Sequence, residues 1–154
     1  MPPRPPHLQR LGQVWVKQPV YFLTTCTHER QRVLANPQTM TVLVAEWQSA
    51  RERHSWHIGR FVIMPDHVHF FAMPDVGAKP LAVFVAKWKE WTAKNLARTL
   101  DLTPPLWQPR FFDHLLRSEE SRAEKWDYIR NNPVRASLVA QPDEWPYQGH
   151  IHFE

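Results

Sequence analysis

Cysteine is almost absent from this sequence, and long apolar runs are lacking. The single cysteine, Cys26, excludes an internal disulfide and any zinc cluster built on cysteines. No apolar run approaches the length of about 18 residues that a membrane-spanning helix needs. The first residues also lack the apolar segment of a signal peptide, and no internal repeat is evident. We therefore expect a soluble, cytoplasmic protein.

The chain has enough length, aromatic residues and positive charge to narrow the choice further. With 154 residues, 43% of them hydrophobic, it can form one domain with a buried core. Nineteen lysines and arginines against fifteen aspartates and glutamates give a net charge of +4. Eight tryptophans can serve as core or as platforms for nucleic-acid bases. This balance favours a polyanionic partner, although many basic proteins have none.

Composition divides the chain into an arm, a domain and a tail. Residues 1–18 are basic and proline-rich, which predicts either a flexible tail or an arm whose arginines contact phosphates. Residues 19–148 are expected to form the folded domain, and residues 149–154 a short tail.

Apolar patterns and capping residues predict alternating strands and helices within the domain. The order is strand, helix, two strands, helix, strand, helix. It favours an α+β fold with a ferredoxin-like antiparallel sheet and packed helices. Strands are predicted at 20–27, 57–64 and 67–73 and within 106–117, and helices at 37–54, at 79–100 and from a cap at 118 to about 132.

Two histidines separated by one residue form the motif that carries the functional prediction. His67 and His69 follow a Pro-Asp turn and lie in one predicted strand, so both side chains point to the same side. At about 7 Å apart along the strand, the two imidazoles could bind one metal ion. They could equally be ordinary histidines on a half-exposed strand, and the spacing alone leaves both open.

A tyrosine and an asparagine on the last predicted helix can complete such a site. Tyr128 and Asn132 are four residues apart, which predicts that they share one helical face. The Asn132 amide oxygen would be a third metal ligand, and the Tyr128 hydroxyl would attack a phosphodiester held by the metal. Spacing alone favours the simpler alternative, a half-buried tyrosine packed against the sheet.

The second long helix carries a basic stripe on the side away from its apolar face. This stripe predicts either a solvated helix surface or the wall of a groove that follows a nucleic-acid backbone, with its tryptophan stacked on a base. Its members are Lys87, Trp91, Lys94 and Arg98.

Several sequence blocks in a fixed order resemble the REP-associated tyrosine transposases. These belong to the HUH single-tyrosine transposases, of the IS200-like type, named for their histidine-hydrophobic-histidine pair. The resemblance covers roughly residues 19–148, and the combination of blocks is far more specific than any one of them. After the first strand come MPDHVH at 64–69, LWQPRFFDH at 106–114 and YIRNNPVRA at 128–136.

The resemblance implies a fold, a reaction and a site. The implied fold is the HUH endonuclease type, a ferredoxin-like sheet crossed by the helix of Tyr128. Family members cut single-stranded DNA next to a hairpin, form a 5′-phosphotyrosine, free a 3′-hydroxyl and can rejoin strands. Carried over, His67, His69 and Asn132 are metal ligands and Tyr128 is the nucleophile. The implied metal is Mg²⁺ or Mn²⁺, whereas ligand chemistry alone favours zinc or manganese.

The resemblance also implies DNA partners and contacts. The expected partner is single-stranded DNA with a REP-like hairpin, bound by a monomer or a homodimer. Arg110, His114 and Arg117 match the family's basic block before the helix and are expected to contact phosphate. Asp66 stands where relatives often have Asn, and Ser137 where Gly is common; neither is a predicted catalytic group. We expect no further DNA-contacting segment after about residue 147.

Two other functions are also consistent with the sequence. One is a catalytically inactive module of the same fold that binds structured single-stranded DNA. The retention of His67, His69, Tyr128 and Asn132 argues against it, because a binding module has no chemical need for all four. The other is a metal-dependent hydrolase of small phosphates, for which the basic stripe would have no use.

Overall fold

The computed structural model describes residues 19–154, and the predicted arm at 1–18 lies outside that range. The α+β fold class and the predicted order of elements up to the last long helix are confirmed. Within the described residues, no helix is both long and apolar enough to cross a membrane. The elements are β1 (Val20–Cys26), α1 (Pro37–His54), β2 (Trp56–Ile63), β3 (His67–Pro74), α2 (Leu81–Leu100), β4 (Phe112–Leu116), α3 (Glu119–Arg130), α4 (Asn132–Arg135) and β5 (Gln148–His150), with 3₁₀ turns at His28–Arg30 and Pro142–Glu144.

The five strands form one antiparallel sheet in the order β4-β1-β3-β2-β5. The strand β5 was not predicted, because three residues are too few to show an alternating pattern. The predicted limit between domain and tail, at residue 148, falls inside this strand. Beyond it, Phe153 packs so closely on Gly59 that a Cβ there would lie 2.6 Å from its ring. The last residues therefore pack onto the domain.

The alternation of side chains along β3 gives the sheet two different faces. Val68 and Phe70 point into the main core, where α1 and α2 cover the sheet. Phe71 and Met73 point the other way, toward Ile129 of α3. His67 and His69 share this second face by the same alternation. Most tryptophans of the described chain serve as core, since Trp47, Trp56, Trp88, Trp107 and Trp145 are buried.

Capping residues and a proline fix where the helices on the second face begin and end. The Ser118 hydroxyl accepts a hydrogen bond from the Ser121 amide at 3.0 Å and so begins α3. The helix ends at Arg130, and Asn131 (φ −86°, ψ −1°) joins it to α4, which has Pro133 in its first turn. The helix predicted to run to about 132 therefore ends at Arg130, and Asn131, with dihedral angles in the right-handed helical region, separates Tyr128 from Asn132.

Candidate active site

The two histidines lie at the beginning of β3, beside the end of β1. Their ring centroids are 4.7 Å apart, and the ring planes are inclined at 77°. Both side chains are mostly buried, with their edges toward the second face of the sheet. The distance between the two ring centroids is shorter than the spacing of about 7 Å between the two residues along the strand, so the rings lean toward each other.

Each imidazole has its Nδ1 atom occupied by a neighbour. His67 Nδ1 lies 2.7 Å from Asp66 Oδ1, and Arg30 Nε donates to Asp66 Oδ2 at 3.0 Å. His69 Nδ1 lies 2.8 Å from Thr24 Oγ1, which belongs to the neighbouring strand β1. A partner at Nδ1 fixes the ring and leaves Nε2 to bind a metal, which is the usual arrangement around metal-binding histidines.

The surroundings keep both imidazoles neutral. Burial, together with the positive charge of nearby Lys125 and Arg135, lowers the pKa of His69 to about 3. Burial also lowers the pKa of His67, although the Asp66 carboxylate opposes this shift. Burial would raise the pKa of Asp66 itself, but hydrogen bonds from His67 and Arg30 outweigh it and lower that pKa. At neutral pH the pair is thus two free bases beside an ionised carboxylate, as metal binding requires.

Asn132 lies next to the histidine pair. Its Nδ2 is 3.5 Å from His67 Nε2, and its Oδ1 accepts a hydrogen bond from Arg135 Nη2 at 3.2 Å. A half-turn of the amide exchanges these two atoms, which brings the oxygen to the histidines. Among the described residues, no group of three His, Cys, Asp or Glu side chains is placed to hold a metal. The Asn132 amide oxygen is accordingly the neighbouring group that fits as a third protein ligand.

Tyr128 is exposed, and an arginine side chain lies over its ring. Its side chain is 63% exposed, so it is not packed against the sheet. The Arg135 guanidinium lies 3.9 Å from the centroid of its ring, in cation–π contact. Since Arg135 also bonds to Asn132, it joins the tyrosine to the asparagine across the break between α3 and α4.

A cleft of about 470 Å³, whose one acidic lining residue is Glu124, extends from Tyr128 to the edge strand β4. His114 and Arg117, predicted from the block before the helix, line this cleft together with Lys125. The Lys125 Nζ atom lies 5.0 Å from the centroid of the Phe22 ring, which in turn stacks on His69 at 5.2 Å. The cleft therefore adjoins the histidine pair. Arg110, in the loop before β4, does not line it.

The basic stripe on α2 lies on the opposite side of the sheet. Trp91 is 44% exposed, and Lys94 Nζ lies 5.0 Å from the centroid of its ring. Lys87 and Lys94 both pair with Glu90, at 3.5 and 3.4 Å. Since α2 packs on the face that Val68 and Phe70 bury, the fold does not bring this stripe, including Arg98, to the histidines.

Several residues of the site were not singled out from the sequence. Lys125 precedes Tyr128 by three positions, and this helical spacing was a signal that could have identified it. Arg135 follows Tyr128 by seven positions, and this helical spacing was likewise a signal that could have identified it. Thr24 and Arg30 reach the histidines through strand register and a loop conformation, neither of which the local sequence reveals.

Comparison with known proteins relates this chain to a family of transposases. A family model described as "Transposase IS200 like" matches residues 16–132. The chain is 28% identical over 134 residues to the REP-associated tyrosine transposase of Escherichia coli K12, covering 86% of this chain and 77% of that protein.

Two solved structures share the fold. One is a REP-associated tyrosine transposase bound to a REP hairpin, with a TM-score of 0.69 and 24% identity. The match covers 86% of this chain and 77% of that one. The other is a Deinococcus radiodurans protein, with a TM-score of 0.57 and 24% identity over 75% of this chain and 92% of that one. Both matches support the five-stranded fold described above.

Proposed function

The chain belongs to the family of IS200-like transposases, enzymes that cleave and transfer DNA strands, and from that membership we propose that Tyr128 is its nucleophile. In the proposed reaction the Tyr128 oxygen attacks the phosphorus of a phosphodiester and loses its proton to solvent. The bond to the 3′-oxygen breaks, and that oxygen leaves as a 3′-hydroxyl after taking up a proton. The 5′-phosphate stays on the tyrosine, and attack by another 3′-hydroxyl reverses the step and joins strands.

The observation that carries this proposal is the position of Arg135, whose guanidinium lies over the Tyr128 ring and next to the Asn132 side chain, whichever way the amide of Asn132 is turned. Tyr128 is exposed, so its hydroxyl is open to a large substrate such as DNA. Asn132 lies beside His67, so the same arginine that lies over Tyr128 also adjoins the histidine pair. A nucleophile and a ligand set held by one arginine are suited to attack on a phosphate bound between them.

We propose that His67, His69 and Asn132 bind a divalent cation, Mg²⁺ or Mn²⁺. Two neutral imidazoles and one amide oxygen would leave positions open for phosphate and water. The imidazoles suit Mn²⁺ better than Mg²⁺, and Mg²⁺ is included because the family resemblance implies it. When bound, the ion would polarise the scissile phosphate and neutralise charge that develops on it. Asp66 and Thr24 would keep the two rings oriented through their Nδ1 atoms.

The proposed substrate is single-stranded DNA that contains a hairpin. The structural match to a transposase bound to a REP hairpin supports this choice of partner. Lys125, Arg117 and His114 line the cleft beside Tyr128, where they can contact phosphates on either side of the cleavage point. Arg110 is a further candidate for a phosphate contact outside the cleft.

A denaturation-resistant protein–DNA adduct is the direct test of this function. Labelled single-stranded DNA with a hairpin is incubated with the protein and Mn²⁺, then separated under denaturing conditions. We expect an adduct with the natural chain and none with Tyr128→Phe, which keeps the ring under Arg135 and should still bind the DNA. An adduct that persists in Tyr128→Phe would overturn the assignment. Binding without any adduct in the natural chain would instead favour the inactive binding module.

A further inference from the structure

Phe112 is an exposed aromatic side chain on the same face of the sheet as the histidines. At 69% exposure it exceeds the other exposed large hydrophobic side chains of the described residues, including Tyr128. It is the first residue of β4, which forms one edge of the sheet. A single exposed apolar ring is common on protein surfaces, so the meaning of this one depends on what lies in line with it.

The strand register places this ring in line with the candidate active site. Phe112 pairs with Thr24 of β1, and Thr24 pairs with His69 of β3. Residues directly opposite each other in a sheet point to the same face, so the three side chains form one row. With strands about 4.8 Å apart, Phe112 lies roughly 10 Å from His69. The residue between them, Thr24, holds the Nδ1 atom of His69.

The Phe112 ring is not packed in the hydrophobic core, so core packing does not explain why a phenylalanine lies at this position. The preceding residue, Phe111, points to the opposite face and packs against the main core. Phe22, two residues before Thr24 on β1, is covered by contrast: Lys125 lies over its ring, and the ring stacks with His69. Phe112 is therefore largely exposed, on the strand that also carries His114 of the cleft.

We propose that Phe112 forms a nucleobase-binding subsite at the edge of the sheet. This inference rests on the proposed function: the phosphodiester lies at the histidines, and a base one or two nucleotides away stacks on the Phe112 ring. Lys125 and Arg117 of the neighbouring cleft contact the backbone that connects them. A phenylalanine ring accepts any base, so the subsite positions the strand without reading its sequence.

The test measures stacking directly, in full-length protein that carries Tyr128→Phe so that the DNA stays intact. Hairpin oligonucleotides carry 2-aminopurine, whose fluorescence falls when it stacks, at successive positions of the single-stranded flank. We expect quenching at one or two adjacent positions, and its loss in Phe112→Ala. Affinity should fall on the order of 5- to 100-fold, the range for removal of a base-stacking aromatic. Phe112→Tyr should restore both signals and Phe112→Leu neither.

The control is Trp91→Ala, which removes another exposed aromatic from the opposite side of the sheet and should leave the quenching unchanged. Unchanged quenching in Phe112→Ala, or full restoration by Phe112→Leu, would overturn the subsite. These outcomes are separable from failure of the proposed function. If the natural chain forms its adduct while Phe112→Ala quenches normally, only the subsite is wrong. If no adduct forms while quenching depends on Phe112, the subsite stands and the cleavage assignment fails.

Discussion

The first face of the sheet packs the main core, whereas the second face combines a smaller core with the candidate active site, although the same strand contributes to both. On the helical face, Phe70 packs among buried tryptophans such as Trp47 and Trp88, whose rings stack at 5.4 Å. On the other face, the matching positions of β3 are His67 and His69, surrounded by polar and charged groups. An offset of one residue along β3 therefore moves a side chain from the main core to the face that carries the candidate site.

The positively charged surfaces on the two sides also differ. On α2, Lys87 and Lys94 share Glu90 as a partner, so part of their charge is compensated. Beside the histidines, Lys125 and Arg135 lie over aromatic rings, as Lys94 does over Trp91, but neither pairs with an acidic side chain of the described residues. Both lower the pKa of His69. A cation over a ring keeps its full charge. The second surface is thus the better suited to phosphate, whereas a count of lysines and arginines does not separate the two.

The largest effect on stability is expected from the helical face. Trp88→Ala removes a fully buried ring from the main core and should lower the free energy of unfolding by about 3–5 kcal/mol. Trp91→Ala, on the same helix but exposed, should change it by less than about 0.5 kcal/mol. Urea denaturation followed by circular dichroism measures both. Equal losses for the two variants would contradict the division of roles between the faces.

An intermediate effect is expected from the partner of His67. Asp66→Ala removes the carboxylate that holds Nδ1 and should weaken Mn²⁺ binding about 10- to 100-fold, as loss of such outer partners typically does. Asp66→Asn should retain most of the affinity, because its amide oxygen can still accept from Nδ1–H. Titration followed by electron paramagnetic resonance reports free Mn²⁺. Unchanged affinity in Asp66→Ala would show that His67 does not need this support.

The smallest effect is expected on the salt dependence of DNA binding. It is measured for one lysine variant from each of the two basic surfaces. Lys125→Ala should reduce the slope of log affinity against log salt by about 1, as expected for the loss of one phosphate contact. Lys94→Ala, on α2, should leave the slope unchanged, because its charge is shared with Glu90 and lies away from the site. A larger change from Lys94→Ala than from Lys125→Ala would assign the DNA to α2.

Local patterns in the sequence were sufficient to predict much of this molecule. Alternation in β3 predicted that His67 and His69 share a face, and capping at Ser118 predicted the beginning of α3. The ordered blocks predicted the family. These features depend on neighbours within a few residues, which is the range over which sequence patterns are informative.

Features that depend on distant residues were not predictable. The row of Phe112, Thr24 and His69 is set by register between three strands, and nothing in any one strand specifies it. The stripe on α2 is visible as a helical face, but its spacing does not tell which side of the sheet the helix covers. The hydrogen-bond distance between Thr24 and His69 likewise joins residues 45 positions apart.

Identification of the residue bonded to DNA tests the central claim most directly. The adduct formed with a hairpin oligonucleotide and Mn²⁺ is digested with nuclease and trypsin, and the modified peptide is sequenced by tandem mass spectrometry. We predict a nucleotide attached through its 5′-phosphate to Tyr128. Attachment to Tyr21, Tyr147 or a residue other than tyrosine would contradict the proposed active site.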